Sequence, residues 1–450
     1  MENWSDKVFY HIYPLGMCGT SKHNDFCSPA GNGLSSLEKH IPRLLLLGVN
    51  ALYIGPLFES SSHGYDTVDY NYVDRRLGNN NDLKTLVKKF HDNGISVILD
   101  AVFNHTGRDF FAFKDIKENK NNSQYIDWYL NIDFSKNNEY NDGFSYEGWA
   151  GNTSLVKLNL GSNAVREHLF GAVKYWIEEF DIDGLRLDAA NVMSVDFLKE
   201  LSSFSKNIKK SFWLMGEIVA GDYRSLAHEG CLDSVTNYEY YKSLWSSFND
   251  TNVYEIAWTM KREFANDGLY SDIALYNFTD NHDVNRVASN VKDPAKLFPL
   301  YGLLFCSPGI PSIYYGSEYG VYGERSEYSD HDLRPVWNDN WAESDMAKNL
   351  FKEICRFSKI RHETDALKHG NYYELLINYD QIFAFLRETK NEKIIVLINA
   401  SPDKNECEIK NDNIDNSKWV DLLSNDSFIG NNNILKIVLN PLWLRILKRI

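Results

Sequence analysis

Eight short runs of β-branched and aromatic residues recur between Val8 and Gly316, with helical patterns between them. They are VFYHIY (8–13), ALYIG (51–55), ISVILD (95–100), IDGLRLD (182–188), FWLMGE (212–217), SVTNY (234–238), ALYNF (274–278) and SIYYG (312–316). Runs of this length read as buried strands. Helical spacing is clearest at Leu83, Leu86, Val87 and Phe90, behind a cap at Asn81 or Asp82 and closed by Gly94. It recurs at Val165, Leu169, Val173, Trp176, Ile177 and Phe180. An earlier pattern places Leu37, Ile41, Leu44 and Leu45 on one face, with Pro42 expected to start or kink the helix. Alternation of this kind, eight times over, predicts an α/β fold closed into a (β/α)8 TIM barrel. A doubly wound open sheet is the alternative, but no run is followed by a Gly-rich phosphate turn.

Two stretches break the alternation. Residues 105–156 carry Asn-, Asp- and Gly-rich segments such as KNNEYNDGF, as a disordered loop would. The same stretch holds Phe110, Phe111, Phe113, Trp128, Tyr129, Phe134, Phe144, Tyr146 and Trp149, and disordered segments are poor in aromatics. It is therefore read as a small excursion domain between the third strand and the third helix. From about residue 365 short alternating runs take over, among them YYELLINY, IFAFLRE, KIIVLINA and LWLRIL. They predict an all-β sandwich. The expected division is a barrel of 1–104 and 157–362, an excursion of 105–156 and a C-terminal domain of 363–450.

Composition narrows the partners. Acidic residues number 62 against 47 basic ones, a net charge of −15, which disfavours nucleic acid and anionic membrane surfaces. Phe, Tyr and Trp make 14% of the chain, more than a core needs, and rings suit stacking on flat neutral ligands such as sugars. No apolar stretch is long enough to span a membrane. The opening MENWSDKVFYHIYPLG lacks the marks of a secretory signal, so a cytoplasmic protein with free thiols is expected.

In a barrel the reactive side chains sit at the C-terminal ends of the strands. Those ends carry Asp100, Asn104 and His105, then Arg186 and Asp188, then Glu217, then Asn281, His282 and Asp283. Arg186 and Asp188 are two apart and share a strand face. One mouth would thus gather several carboxylates with two histidines and an arginine. That set suits glycoside hydrolysis, where one carboxylate attacks the anomeric carbon and another protonates the leaving oxygen. An arginine beside the attacking group would keep it ionised, and like charges would raise the partner.

DAVFNH (100–105), GLRLDAAN (184–191), GEI (216–218) and FTDNHD (278–283) resemble, in order and spacing, the four signature regions of the α-amylase family of glycoside hydrolases. HGYDTVDY (63–70) and PGIPSIYYGSE (308–318) extend the resemblance. It implies Asp188 as nucleophile, Glu217 as general acid/base and Asp283 as stabiliser of the transition state, in a retaining hydrolase of α-1,4-linked maltodextrins and cyclodextrins. It also implies Arg186, His105 and His282 as holders of the reacting sugar, Tyr65 as its stacking platform and Asp100 as a structural partner of Arg186. His63 either meets sugar or caps its turn, and Tyr65 could equally be a core ring. LVKLNL (155–160), DAAN and HDLRPVW (331–337) are similar to the cyclomaltodextrinase, neopullulanase and maltogenic amylase branch, which suggests a pair between Arg334 and Asp66.

Departures accompany the resemblance. That branch carries an N-terminal β domain that builds a dimer and narrows the cleft. This chain starts at the first strand run, so neither the dimer nor the preference for small or cyclic substrates is expected from the resemblance. No cofactor is required. Calcium is an option resting on Asn104, whose usual partner position in the second region is not matched in type. An α-1,6-glucosidase or a glucan glycosyltransferase could use the same scaffold. So could a non-catalytic glucan-binding subunit, but such proteins lose the acids that are present here.

Overall fold

The computed structural model describes residues 3–327, 329–378 and 381–450. Met1 and Tyr379, which end two of the stretches read above, lie outside them. All eight runs form strands of one parallel sheet: β1 (Phe9–Ile12), β2 (Ala51–Ile54), β3 (Ser96–Ala101), β4 (Gly184–Leu187), β5 (Trp213–Gly216), β6 (Ser234–Val235), β7 (Tyr276–Phe278) and β8 (Ile310–Tyr314). Their order is β6-β5-β4-β3-β2-β1-β8-β7. The sheet closes between β6 and β7, where Thr236 bridges Tyr276 and the Asn237 N–H donates to the Tyr276 carbonyl at 2.9 Å.

Strand parity divides the core. Phe9, Tyr53, Ile98, Trp213, Met215, Tyr276 and Phe278 form one cluster, and Trp4 stacks on Trp213 at 4.8 Å. The alternate residues, such as Tyr10, Leu52, Val97 and Leu214, belong to the cluster shared with the helices. Side chains two apart on a strand share a face, so Asp100 follows Ile98 and Arg186 follows Gly184. Gly184 allows the close pairing of β4 with β5, since a Cβ there would lie 2.3 Å from the Trp213 carbonyl oxygen.

The helices follow the expected faces with two corrections. Helix Asn80–Asp92 buries Leu83, Leu86, Val87 and Phe90, but its cap is Asn79, which forms a capping box with Asp82. Pro42 does start a helix, Ile41–Leu46, after a 3-10 turn at Glu38–His40. That turn shifts the phase and leaves Leu45 44% exposed, off the face it was expected to share.

Between β3 and the helix Asn163–Phe180, strands His105–Gly107, Gly148–Trp149 and Asn152–Lys157 make a small antiparallel sheet. Helix Phe111–Asn119 joins it over a core of Phe113, Tyr129, Phe144 and Tyr146. Strands between Asn371 and Arg449, drawn from the described residues there, form a six-stranded sheet facing a two-stranded ladder, with Ile382, Leu397, Trp419, Leu435 and Ile437 between them. The sheet docks on helix Leu297–Cys306, where Gly302 makes room for Leu444. Buried Arg387 ties the seam by donating to the carbonyls of Cys306 and Gly370. Among the described residues no helix is long and apolar enough to cross a membrane.

Candidate active site

Arg186 is the centre of the barrel mouth. Its Nη1 lies 2.9 and 3.0 Å from the two carboxylate oxygens of Asp100 and 3.0 Å from Asp188 Oδ1. Its Nη2 lies 2.9 Å from Glu217 Oε2. One guanidinium therefore spans three acids on three neighbouring strands, and it is 2% exposed. The planar fork makes this possible, because its nitrogens diverge at fixed angles.

The backbone holds the two acids that flank the fork. The Asp188 N–H donates to the Ala101 carbonyl and the Glu217 N–H to the Leu187 carbonyl, which extends the ladder one residue past β4 and β5. Ala189 then turns left-handed at φ 49°, which is rare without glycine, and aims its N–H at Glu217 Oε2 at 3.0 Å. A second layer fixes Asp100, whose Oδ2 accepts from the hydroxyls of Tyr53 (2.7 Å) and Tyr65 (2.9 Å). The Tyr65 hydroxyl also bonds His282 Nε2, and the two rings stack at 5.4 Å. His282 Nε2 lies 3.0 Å from Asp283 Oδ2, so Asp283 joins the same network.

The acids differ in their surroundings. Burial is the largest influence on Asp188 and raises its carboxyl well above the ordinary aspartate range. Arg186 opposes that rise, while Glu217, Asp100 and Asp283 add to it. Arg186 thus acts in the expected direction but is outweighed. Burial also works on Asp283, yet there His282, Arg334 and Arg186 win and hold its carboxyl well below the usual range. Burial and the neighbouring His63 push His105 down to about 3, so it is neutral. His105 Nε2 and His282 Nδ1 are buried without a partner among the described residues, two free hydrogen-bonding groups at the mouth. Trp149 from the excursion lies parallel to His105 at 6.2 Å and forms part of the wall.

The expected Arg334–Asp66 pair is replaced by another. Arg334 Nη2 sits 3.0 Å from Asp283 Oδ1 and 3.4 Å from Asp330, its Nε donates to the His282 carbonyl, and it lies over the Tyr13 ring at 4.7 Å. Asp66 is held by the N–H and hydroxyl of Ser62 instead. The reason is reach: Arg334 already has a nearer carboxylate and a carbonyl to satisfy. His63 accepts the Tyr65 N–H, the turn-capping role. A cavity of about 400 Å³ opens beside Arg334 and is lined by Tyr13, Thr20, His63 and Asp330.

Asn104 is tied to its neighbours through its amide NH2 and its backbone. Its Nδ2 lies 3.1 Å from His105 Nδ1, and its carbonyl accepts the Leu158 N–H. Asp142 of the excursion is taken by Arg108 at 2.8 and 3.0 Å. Among the described residues no three His, Cys, Asp or Glu side chains gather as a metal-holding group.

Tyr53, Tyr13 and Tyr238 were not singled out from sequence. Tyr13 and Tyr238 end the first and sixth strand runs, the same signal that picked out Asp100 and Glu217. Tyr238 donates its hydroxyl proton to Glu217 Oε1 at 3.2 Å.

Two carboxylates drawn together at a barrel mouth by adjacent nitrogens of one guanidinium are the kind of pair that glycoside hydrolysis uses. The class this defines is the barrel glycoside hydrolases. Comparison with known proteins places the chain within that class. Residues 21–361 match the alpha amylase catalytic domain, and 373–446 match the maltogenic amylase C-terminal domain. A cyclomaltodextrinase of Thermoanaerobacter pseudethanolicus is 33% identical over 416 residues, covering 88% of this chain and 70% of that protein. Neopullulanase 2 of Thermoactinomyces vulgaris is 31% identical over 429 residues, covering 93% and 71%. A solved cyclomaltodextrinase structure superimposes with a TM-score of 0.88 at 27% identity, over 99% of this chain and 78% of that one. The chain belongs to the α-amylase family of glycoside hydrolases.

Proposed function

We propose that the protein is a retaining hydrolase of α-1,4-glucosidic bonds in maltodextrins and cyclodextrins. In this reading Asp188 attacks the anomeric carbon while Glu217 gives its proton to the leaving oxygen. A covalent glucosyl-enzyme forms. Glu217 then takes a proton from water, the water oxygen attacks the same carbon, and the bond to Asp188 breaks. Asp283 grips ring hydroxyls of the distorted sugar, and His105 and His282 offer their unpartnered nitrogens to others. A second sugar in place of water gives transglycosylation.

The observation that carries the reading is the single Arg186 fork on Asp188 and Glu217. Retaining enzymes keep their two carboxyls about 5–5.5 Å apart, and a shared guanidinium favours such closeness over the wider inverting spacing. The relatives' names, cyclomaltodextrinase and neopullulanase, support the substrate class. A relative named intracellular maltogenic amylase in Bacillus subtilis, 29% identical, supports a cytoplasmic site of action.

Proton NMR of the first products from maltoheptaose and from a cyclodextrin tests it, with Asp188→Asn as control. New α-anomeric ends from the wild type and none from the variant are expected. New β-anomeric ends would overturn retention. Cleavage confined to α-1,6 bonds would overturn the linkage.

A further inference from the structure

The two oxygens of Glu217 are held in different ways. Oε2 faces two nitrogen donors, the Ala189 N–H at 3.0 Å and Arg186 at 2.9 Å. Oε1 has Tyr238 Oη at 3.2 Å. Tyr238 is the first residue of the helix Tyr238–Asp250, directly beyond β6, and its ring packs edge-on against Tyr241 and Phe278 at 6.2 and 5.0 Å. The ring is therefore fixed, and only its hydroxyl proton can turn.

The direction of that proton follows from the neighbours. The backbone N–H of Asp283 donates to Asn281 Oδ1 at 2.8 Å. A backbone N–H cannot accept, so the oxygen of the Asn281 amide must face it, and the NH2 faces Tyr238. Asn281 Nδ2 donates to Tyr238 Oη at 3.0 Å. With that lone pair engaged, the Tyr238 hydroxyl proton points to Glu217 Oε1. A one-way chain thus runs from the backbone of Asp283 through Asn281 and Tyr238 to Glu217.

We propose that Tyr238 is a positioning residue for acid–base catalysis, donating to Glu217 Oε1 and favouring the carboxylate that forms as Glu217 releases its proton to the leaving oxygen. This rests on the reading of Glu217 as the acid/base given above. A hydrogen bond to a charged acceptor is roughly twice as strong as one to a neutral acceptor, so the contact strengthens along the reaction. It assists the step that needs an acid. It gives nothing to a leaving group that departs without a proton.

The test is Tyr238→Phe assayed on maltoheptaose and on α-maltosyl fluoride, whose fluoride leaves with little need of an acid. On maltoheptaose kcat/KM is expected to fall roughly 5- to 20-fold, with the alkaline limb of its pH profile moved to higher pH. On the fluoride the change is expected to stay within about twofold. Equal losses on both substrates with an unmoved pH profile would show a merely structural ring and overturn the proposal, as would no loss on either. Asn281→Asp keeps the ring but replaces the amide donor by an acceptor, which turns the Tyr238 proton away from Glu217. It is expected to reproduce the substrate-selective loss even if the phenylalanine variant misfolds, and an unselective loss there overturns the proposal. A wild type silent on both substrates would instead defeat the assignment of function itself.

Discussion

Replacing Arg186 by lysine keeps the charge at the barrel mouth and removes the fork. The guanidinium holds Asp100, Asp188 and Glu217 with two nitrogens at 2.9–3.0 Å. One ammonium nitrogen in the place of Nη1 can hold Asp100 and Asp188 but cannot also reach Glu217, which the second nitrogen holds. At least one charge-assisted bond is lost, worth about 1.5–3 kcal/mol. If that bond serves to place the acid against the sugar, kcat falls by about 10- to 150-fold at 1.36 kcal/mol per decade. KM moves little, because the acids are lost as reactants rather than as the walls that bind distant sugar units. The assay is steady-state release of reducing ends from maltoheptaose, with thermal melting alongside to confirm that the variant folds. A folded Arg186→Lys enzyme with kcat within threefold of wild type would refute the reasoning, since a point charge would then do everything the fork does.

The pH profile offers a second check. In the proposed mechanism Asp188 must be ionised to attack, and burial raises its carboxyl, so kcat/KM is expected to fall on the acid side at a pH clearly above the ordinary aspartate value of about 3.9; a limb at or below 4 counts against it. Arg334→Met removes the 3.0 Å bond to Asp283, whose side chain is 35% exposed, and an interaction so hydrated should cost kcat/KM only about three- to tenfold. Gly302→Ala drives a Cβ to 2.3 Å from Leu444 Cδ1, and overpacking at this seam should lower stability by about 1–3 kcal/mol in urea titration with kcat intact.

The barrel was legible because its signal is repeated. Eight runs bounded by turns survive an error in any one of them, and their ends name the residues that reach the mouth. Parity along β4 also placed Arg186 beside Asp188. Caps and phases were less legible. Asn79, Asn80 and Asn81 stand in a row, and only the backbone path decides which one caps the helix. The 3-10 turn before Pro42 rotates Leu45 outward, and no local spacing announces it. Within the site, sequence marks which groups can ionise but not who sits next to them. Arg334 found Asp283 because the segment after β8 crosses beside the loop after β7, a neighbourhood set by the direct pairing of β7 with β8. Tyr13, Tyr53 and Tyr238 were passed over for a chemical reason. Their role is to donate from a buried ring, and a buried ring in sequence looks like core.

Those neighbours give two acids of one mouth opposite relations to stability. Asp188 is raised in the folded state, so its ionised form is a burden that grows as pH rises towards and through its folded value. Asp283 is lowered, so it adds stability above the unfolded aspartate value, which is lost only as pH falls towards its folded one. Asparagine removes the charge from each in nearly the same volume. Asp188→Asn is therefore expected to raise Tm relative to wild type, and to raise it more at pH 8 than at pH 4. Asp283→Asn is expected to lower Tm at pH 8, because His282 and Arg334 lose the carboxylate they hold. Arg186 tolerates the first change, since Asp100 and Glu217 still face it. Melting both variants at the two pH values settles the matter. If Asp188→Asn destabilises at pH 8, Arg186 outweighs burial at Asp188, and that carboxylate would be held in place by its counter-ion rather than by the walls of the barrel.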